Sequence, residues 1–314
     1  MGFLYIVLLF LLAGPAVADA ASFSFLAVSD PHGWYDTSWA EPDSRRPPRT
    51  LKKGKGQDEW YANVRLLLAS AVKDPEMDFV AIAGDLTVDG ERTAHRALSR
   101  ILADYEAAGG KVFIVPGNHD VNNPKAKRLD SKNRLKRAET VKAEKFVSLY
   151  NEFGYSEAFS RDRESLSYAV EPVEGLVLLA LDTANWKGNR FGLFRHVTVK
   201  GIVRDSTLEW IESVLSDARK QGKTVVALQH HPFYDPREKT KKVISGDKKL
   251  MALYAEYGVA VVVAGHEHYY AVERGKSFPM VLVPNAADSP EKSLSVKLVP
   301  GKVSVALDPY GFGR

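Results

Sequence analysis

No cysteine occurs anywhere in the 314 residues. That absence excludes disulfides, thiolate metal ligands, a cysteine nucleophile and a lipid-bearing N-terminal cysteine. No apolar run reaches the roughly 20 residues that a membrane-spanning helix needs. The run that comes nearest, Phe3 to Ala13, is stopped by Gly14-Pro15 and followed by small residues at Ala16-Val17-Ala18 and Ala18-Asp19-Ala20. A short hydrophobic core ahead of a small-residue cleavage pattern marks a signal peptide, although no Lys or Arg stands in front of it. Residues 1–20 are therefore expected to be a signal peptide that exports the chain to the periplasm or medium, with an uncleaved anchor as the alternative. There is no internal repeat, no low-complexity tract and no overall excess of one charge: 43 basic and 39 acidic residues leave +4.

What the chain has is a set of apolar runs that end alike. Val112 to Val115 is β-branched and aromatic, is stopped by Pro116-Gly117, and delivers Asn118-His119-Asp120. Phe23 to Val28 ends in Ser29-Asp30-Pro31-His32, and Asp78 to Ala83 ends in Gly84-Asp85. Thr224 to Gln229 ends in His230-His231-Pro232, and Val259 to Ala264 ends in Gly265-His266-Glu267-His268. Each run reads as a buried strand, and ligand groups in open α/β sheets gather just outside the carboxyl ends of strands. One such ending is ordinarily a turn residue or a cap. Five, holding six of the eight histidines, point to a shared site. Asp30 with His32, and His266 with His268, are two apart, a spacing that in extended backbone turns both side chains the same way. Imidazole and carboxylate without thiolate suit Mn, Fe, Zn, Co or Ni better than Ca or Mg.

Between these runs the pattern alternates. Helices are expected at Trp60 to Val72, with Trp60, Val64, Leu67 and Leu68 on one face, at Glu91 to Ala108, through Tyr150, at Asp205 to Lys220 with a Leu208, Ile211, Leu215 stripe, and around Leu250 to Tyr257. Further strands are expected at Leu166 to Val170 and Leu176 to Leu181. Short runs at Met280 to Val283, Leu294 to Val299 and Val303 to Leu307 look antiparallel. Strand–helix alternation argues for parallel pairing with helical crossovers. The candidate ligands spread from Asp30 to His268, so any cut between would divide the site, and residues 21–314 are read as one domain.

Asp-x-His, Gly-Asp, Gly-Asn-His-Asp, His-His-Pro and Gly-His-x-His, in this order and all complete, resemble the calcineurin-like metallophosphoesterase superfamily over about Phe23 to Tyr270. Asn151-Glu152-Phe153-Gly154-Tyr155 through Ser165-Leu166-Ser167-Tyr168 also resembles its exported bacterial members. The resemblance implies an α/β fold, a four-layer α/β/β/α sandwich of two mixed β-sheets flanked by helices. It implies two divalent metal ions (Mn, Zn or Fe): one held by Asp30, His32, Asp85 and His268, the other by Asp85, Asn118, His230 and His266, with Asp85 shared. His231 is left beside the site. It further implies hydrolysis of phosphate mono- or diesters by a metal-generated hydroxide. His119 would bind the phosphate and protonate the leaving oxygen, oriented by Asp120; the alternative is that Asp120 caps a turn. Purple acid phosphatases carry a Tyr three residues after the bridging Asp; Val88 stands here, which argues against a purple-type Fe(III) site.

Charge is uneven along the chain. Arg45 to Lys55 has six basic and no acidic residues, Lys125 to Lys145 nine and three, and Arg237 to Lys249 six and two. Each window follows a metal motif, so together they are expected to rim the site and steer anionic substrate. Nucleic acid is not preferred as a partner, because no aromatics interleave the basic residues of Lys125 to Lys145 as single-strand binding favours. A cyclic-nucleotide phosphodiesterase or nuclease, and a non-catalytic binding protein on the same scaffold, are the competing readings. The last should have lost ligands, and none is missing.

Overall fold

A computed structural model describes residues 22–33, 59–235 except 131 and 133, 237, 243–244, 247–274, 277–286, 292–299, 302–307 and 309–311. The expected signal peptide, the first basic window and most of the third lie outside these residues, as does the Trp60 side chain.

The first half alternates as β1 (Phe23–Val28), α1 (Glu59–Ala71), β2 (Phe79–Ile82), α2 (Arg92–Ala107) and β3 (Val112–Ile114). The basic insertion forms a small hairpin, β4 (Lys127–Leu129) with β5 (Leu135–Arg137), before α3 (Ala143–Leu149). Then come β6 (Ser160–Arg161), β7 (Tyr168–Val173), β8 (Leu176–Leu181), α4 (Asp205–Lys220), β9 (Thr224–Gln229), α5 (Asp247–Tyr257) and β10 (Val261–Ala264). The chain closes with β11 (Ala271–Arg274), β12 (Pro279–Leu282), β13 (Leu294–Val299) and β14 (Lys302–Leu307).

These strands make two mixed sheets, ordered β14-β13-β1-β2-β3 and β11-β12-β10-β9-β8-β7-β6. β1, β2 and β3 run parallel, with Val28 level with Ile82 and Ile82 level with Ile114. β8, β9, β10 and β12 are also parallel, with Leu181 opposite Gln229 and Ala264 opposite Leu282. Successive side chains of a strand face opposite ways, and β8 shows both faces buried. Leu176, Leu178 and Ala180 join the core shared with β1–β3, while Val177, Leu179 and Leu181 pack under Ile211 and Leu215 of α4 and Leu250 and Tyr254 of α5. Strands buried on both faces read as continuous apolar runs, which is why these were visible in the sequence. On the far side, α1 (Val64, Leu67, Leu68) and α2 (Leu98, Leu102) cover the first sheet. The layers are therefore α/β/β/α.

Of the last strands, β13 and β14 are antiparallel as expected and β12 departs from the sequence reading. β12 joins β10 in parallel and takes β11, not anticipated, as an antiparallel edge. β13 returns to pair antiparallel with β1, carrying β14 outside it. Which sheet a short alternating run joins is a tertiary choice that its period cannot encode.

Candidate metal centre

Both sheets point the carboxyl ends of their parallel strands at one place. Past β1 come Asp30 and His32, past β2 Asp85, past β3 Asn118, past β9 His230, and past β10 His266 and His268. The chain reaches this place with unusual backbone. Of the six non-glycine residues with positive φ among the described residues, five are expected ligands: Asp30 (52°), His32 (43°), Asp85 (49°), His266 (70°) and His268 (58°). Such conformations cost on the order of 1 kcal/mol or more each and concentrate at functional sites. They also correct the expectation of extended backbone at Asp-x-His and His-x-His: left-handed residues, not strand continuation, aim these side chains.

Two clusters meet at one atom. In the first, His268 Nε2 lies 3.1 Å from Asp30 Oδ1 and 3.2 Å from His32 Nε2, and His32 Nε2 lies 3.7 Å from Asp85 Oδ2. In the second, His230 Nε2 lies 3.4 Å from the same Asp85 Oδ2, 3.2 Å from Asn118 Oδ1 and 3.2 Å from His266 Nδ1. Ligands at zinc-like bond lengths sit roughly 3–3.4 Å apart around one ion. All of these separations but the 3.7 Å between His32 and Asp85 match that spacing.

Other contacts fix how each donor presents itself. His230 Nδ1 is 2.8 Å from the Ala83 carbonyl and His32 Nδ1 3.4 Å from that of Thr87, so each ring places its proton outward and its Nε2 lone pair inward. Asp85 Oδ1 accepts the His119 backbone N–H at 2.9 Å, which leaves Oδ2 alone facing both clusters. Asp30 Oδ2 accepts from Ser29 Oγ at 2.5 Å and the His266 N–H at 3.0 Å, leaving Oδ1 for the first cluster. Asn118 Nδ2 is buried with no hydrogen-bond partner, an uncompensated cost that its inward-facing Oδ1 explains if that oxygen ligates. Two buried carboxylates, four imidazoles and an amide oxygen converging on these two places fit a pair of transition-metal ions.

His231 lies close to His230 and His266, but both its nitrogens are used: Nε2 donates to the Val199 carbonyl at 3.0 Å and Nδ1 accepts from Thr183 Oγ1 at 2.8 Å. Burial holds its pKa well below the usual value, so it is a neutral histidine tying Thr183, just past β8, to Val199.

The charges show what the centre demands. Burial would raise the Asp30 pKa, yet the His268, His32 and His230 rings together outweigh it and hold the carboxyl well below the usual range; at Asp85 the His230, His119 and His32 rings do the same. Burial lowers His230, but Asp85 overrides it and lifts the ring to about 9. His266 goes the other way, down to about 3, through burial and the neighbouring His230 charge.

His119 stands at the mouth, one-third exposed, with Nε2 3.9 Å from Asp85 Oδ2. Its Nδ1 meets the Val88 carbonyl and lies 3.7 Å from Asp89 Oδ1. Burial opposes its charge, but Asp85 and then Asp89 raise its pKa to about 10. Asp120 does not orient it. The Asp120 carboxylate accepts from the backbone N–H groups of Gly117 (2.7 Å), Leu86 (3.1 Å) and Thr87 (2.9 Å) and from Thr87 Oγ1 (3.0 Å). It staples the loop after β3 to the loop after β2, the turn-capping alternative enlarged. Adjacent residues in a tight turn diverge, which separates His119 from Asp120. Asp89, four residues past Asp85, is the partner that sequence reasoning missed, and Ser29 and the Ala83 and Thr87 carbonyls are the missed supports. Beneath the staple, buried His95 on α2 contacts the Asp120 carbonyl (3.0 Å) and Tyr150 Oη (2.8 Å).

The family profile described as calcineurin-like phosphoesterase matches residues 23–270. Among solved structures, a dimetal phosphatase from Danio rerio superposes with TM-score 0.62 at 14% identity, covering 91% of this chain and 95% of that one. A protein described as a candidate 5'-nucleotidase from Staphylococcus aureus superposes at 0.50 and 14% identity, covering 91% of this chain but 53% of that one. At these identities the likenesses bear on fold alone. No curated protein matches the chain. With the family profile spanning every one of the five motif blocks, the chain belongs to the calcineurin-like phosphoesterase family and is a phosphoric ester hydrolase.

Proposed function

We propose that this chain hydrolyses phosphate mono- or diesters at two metal ions, one held by Asp30, His32, Asp85 and His268 and the other by Asp85, Asn118, His230 and His266. The observation that carries the reading is Asp85 Oδ2, which faces His32 Nε2 at 3.7 Å and His230 Nε2 at 3.4 Å with its sister oxygen already taken. When bound, such a pair supplies Lewis acidity to phosphoryl oxygens and lowers the pKa of water toward about 7.

The protein's own groups do the rest. Asp85 is pinned by the His119 N–H, so it enters the reaction without reorganising. His119 is protonated at neutral pH and holds its Nδ1 proton on the Val88 carbonyl. That leaves Nε2–H turned to the centre, where it can donate to a phosphoryl oxygen or to the departing alkoxide. Asp85, sharing its charge with cations, would act on this ring less strongly, bringing its pKa down toward the working pH. The exposed basic side chains of the β4–β5 hairpin, Arg128, Lys132, Arg134, Lys136 and Arg137, support the second window as part of an electropositive rim. Export as a periplasmic or secreted enzyme rests on the apolar run Phe3 to Ala13 and the small residues that follow it at Ala16-Val17-Ala18 and Ala18-Asp19-Ala20.

The test is a parallel assay of metal-defined protein with Mn, Zn and Fe, using an aryl phosphate monoester and the bis-aryl diester. Turnover of at least one ester, with two metals per chain, is the expected result. Stoichiometric metal with no turnover of either would favour the binding-protein reading.

A further inference from the structure

The segment between β8 and α4 supplies none of the candidate ligands. Arg190 and His196 exchange two backbone hydrogen bonds, 2.9 and 3.1 Å, and so close a small hairpin. Its tip presents Phe191, Leu193 and Phe194 to solvent at 55%, 89% and 86% exposure. Single exposed apolar residues are ordinary, whereas three within four positions on a protrusion are not. Gly192, at φ 117°, lies at this tip with open space where a Cβ would be.

The hairpin is held, not frayed. Asn189 Nδ2 donates to the Val121 and Asn122 carbonyls at 3.2 Å each, and Asn189 Oδ1 accepts the Thr198 N–H at 2.8 Å. Arg195 Nη1 donates to the Pro124 carbonyl at 3.2 Å. The segment is thus bolted at one end to the loop that follows His119. At its other end the Val199 carbonyl takes the His231 proton at 3.0 Å. It therefore borders the metal centre on two sides with its apolar tip outward.

The charge carried by the segment itself has one sign. From Thr183 to Arg204 the chain has five basic residues and no acidic one. Arg190, Arg195 and Lys200 among them are exposed, Lys187 is paired with the Glu164 carboxylate at 3.5 Å, and Pro124 opens directly onto the basic β4–β5 insertion. An apolar prow ringed by arginine and lysine is the pattern that enters the headgroup zone of an anionic bilayer, with the rings and leucine in the acyl boundary and the cations on lipid phosphates. A protein partner would be expected to meet a broader face than one tip.

We infer that Phe191, Leu193 and Phe194 form a membrane-docking prong that seats this protein on an anionic phospholipid surface, with the metal centre held beside that surface. The inference concerns binding alone and does not depend on which ester is hydrolysed. The test is co-sedimentation of the full chain with phosphatidylglycerol–phosphatidylcholine vesicles and with pure phosphatidylcholine vesicles, at low and high salt. The proteins compared are wild type, the double variant L193S/F194S, and F194S alone as a milder second variant. The N-terminal apolar run is common to all three, so differences report the tip. Wild type should bind the anionic vesicles, more weakly at high salt. The double variant should lose roughly tenfold or more in partitioning. Both variants should keep the wild-type melting temperature and turnover of a soluble aryl phosphate. Equal vesicle binding by wild type and double variant, or no binding by wild type, would overturn the proposal. So would a wild-type dimer that L193S/F194S dissolves in the absence of vesicle binding, because the tip's occupant would then be a second copy.

Discussion

Asp85 answers to both halves of the centre through one oxygen, and its other oxygen accepts a main-chain N–H. Asp85→Asn keeps the shape and that hydrogen bond but removes the shared charge. It should strip both metals and lower kcat/KM by about a thousandfold or more; elemental analysis beside kinetics checks this, and retention of either metal would place the bridge elsewhere. His119→Ala should keep both metals and lose roughly 10²–10⁴ in kcat; loss of metal would make the ring a ligand. The divergence of His119 and Asp120 yields a paired prediction. Asp89→Asn takes a negative charge from beside the ring, so the His119 pKa should fall and the basic limb of the kcat profile should move to lower pH. Asp120→Asn should leave that limb in place and instead destabilise the fold by about 1–3 kcal/mol, since an amide turns a donor toward N–H groups that need an acceptor. Denaturant titration with the pH–rate profile separates the two. The ligand types were open to sequence reading because a strand followed by Asp or His is a local pattern. The His119 partner was not, because it depends on which way two neighbours in a turn face.

At the scale of elements, the centre exists because strand tips from two sheets touch. Gly265 after β10 lies so near the tip of β1 that an added Cβ would stand 1.9 Å from Ser29 Oγ and 2.6 Å from Asp30 Oδ2. Gly117 is packed similarly on Asp85, at 2.1 Å from Oδ1. Gly265→Ala should therefore force the two sheets' ends apart. We expect lower metal content and a lower melting temperature together, measured on protein loaded with a defined metal; an unchanged metal content would mean that the tips yield without cost. The boundaries of the elements were largely open to inspection. Residues 205–220 form the expected helix and residues 224–229 the expected strand, for their periodicity is carried by one stretch of chain. β11 (Ala271–Arg274) escaped notice because a four-residue edge strand, with Ala271, Val272 and Glu273 half-buried, has no apolar run to announce it.

Across the whole molecule, the centre's charges link metal, proton and fold. Without metal, His119 and His230 have folded-state pKa values near 10 and 9, above the ordinary 6.5. A raised basic pKa contributes stability that is fully present below the unfolded value and is lost as pH rises through the folded one. Buried Glu91, raised to about 8 by burial and then by Asp89, weakens the fold over a window that starts lower and acts in the same direction. Metal-free protein should therefore melt at progressively lower temperature from about pH 6.5 to 10, whereas the metal-loaded protein, whose ligand histidines carry no proton there, should lose much of this slope. Metal binding should release protons over the same range, which calorimetry in buffers of different ionisation enthalpy can measure. A flat metal-free profile would show that the histidines are not held by Asp85.

The sequence by itself determined the chemistry available: no thiolate, six histidines and three aspartates at strand ends in an order that resembles one superfamily, and strands apolar enough to lie between layers of helix. These are properties of single segments, and hydrophobic period and residue type express them locally. Only the tertiary structure decided which oxygen of Asp85 faces both clusters, that Asp120 serves the backbone while Asp89 serves His119, that β13 returns to β1, and that an apolar hairpin stands beside the mouth. Each of these depends on two segments far apart in the chain meeting at a particular angle, and no stretch of residues read alone contains the other half of the contact.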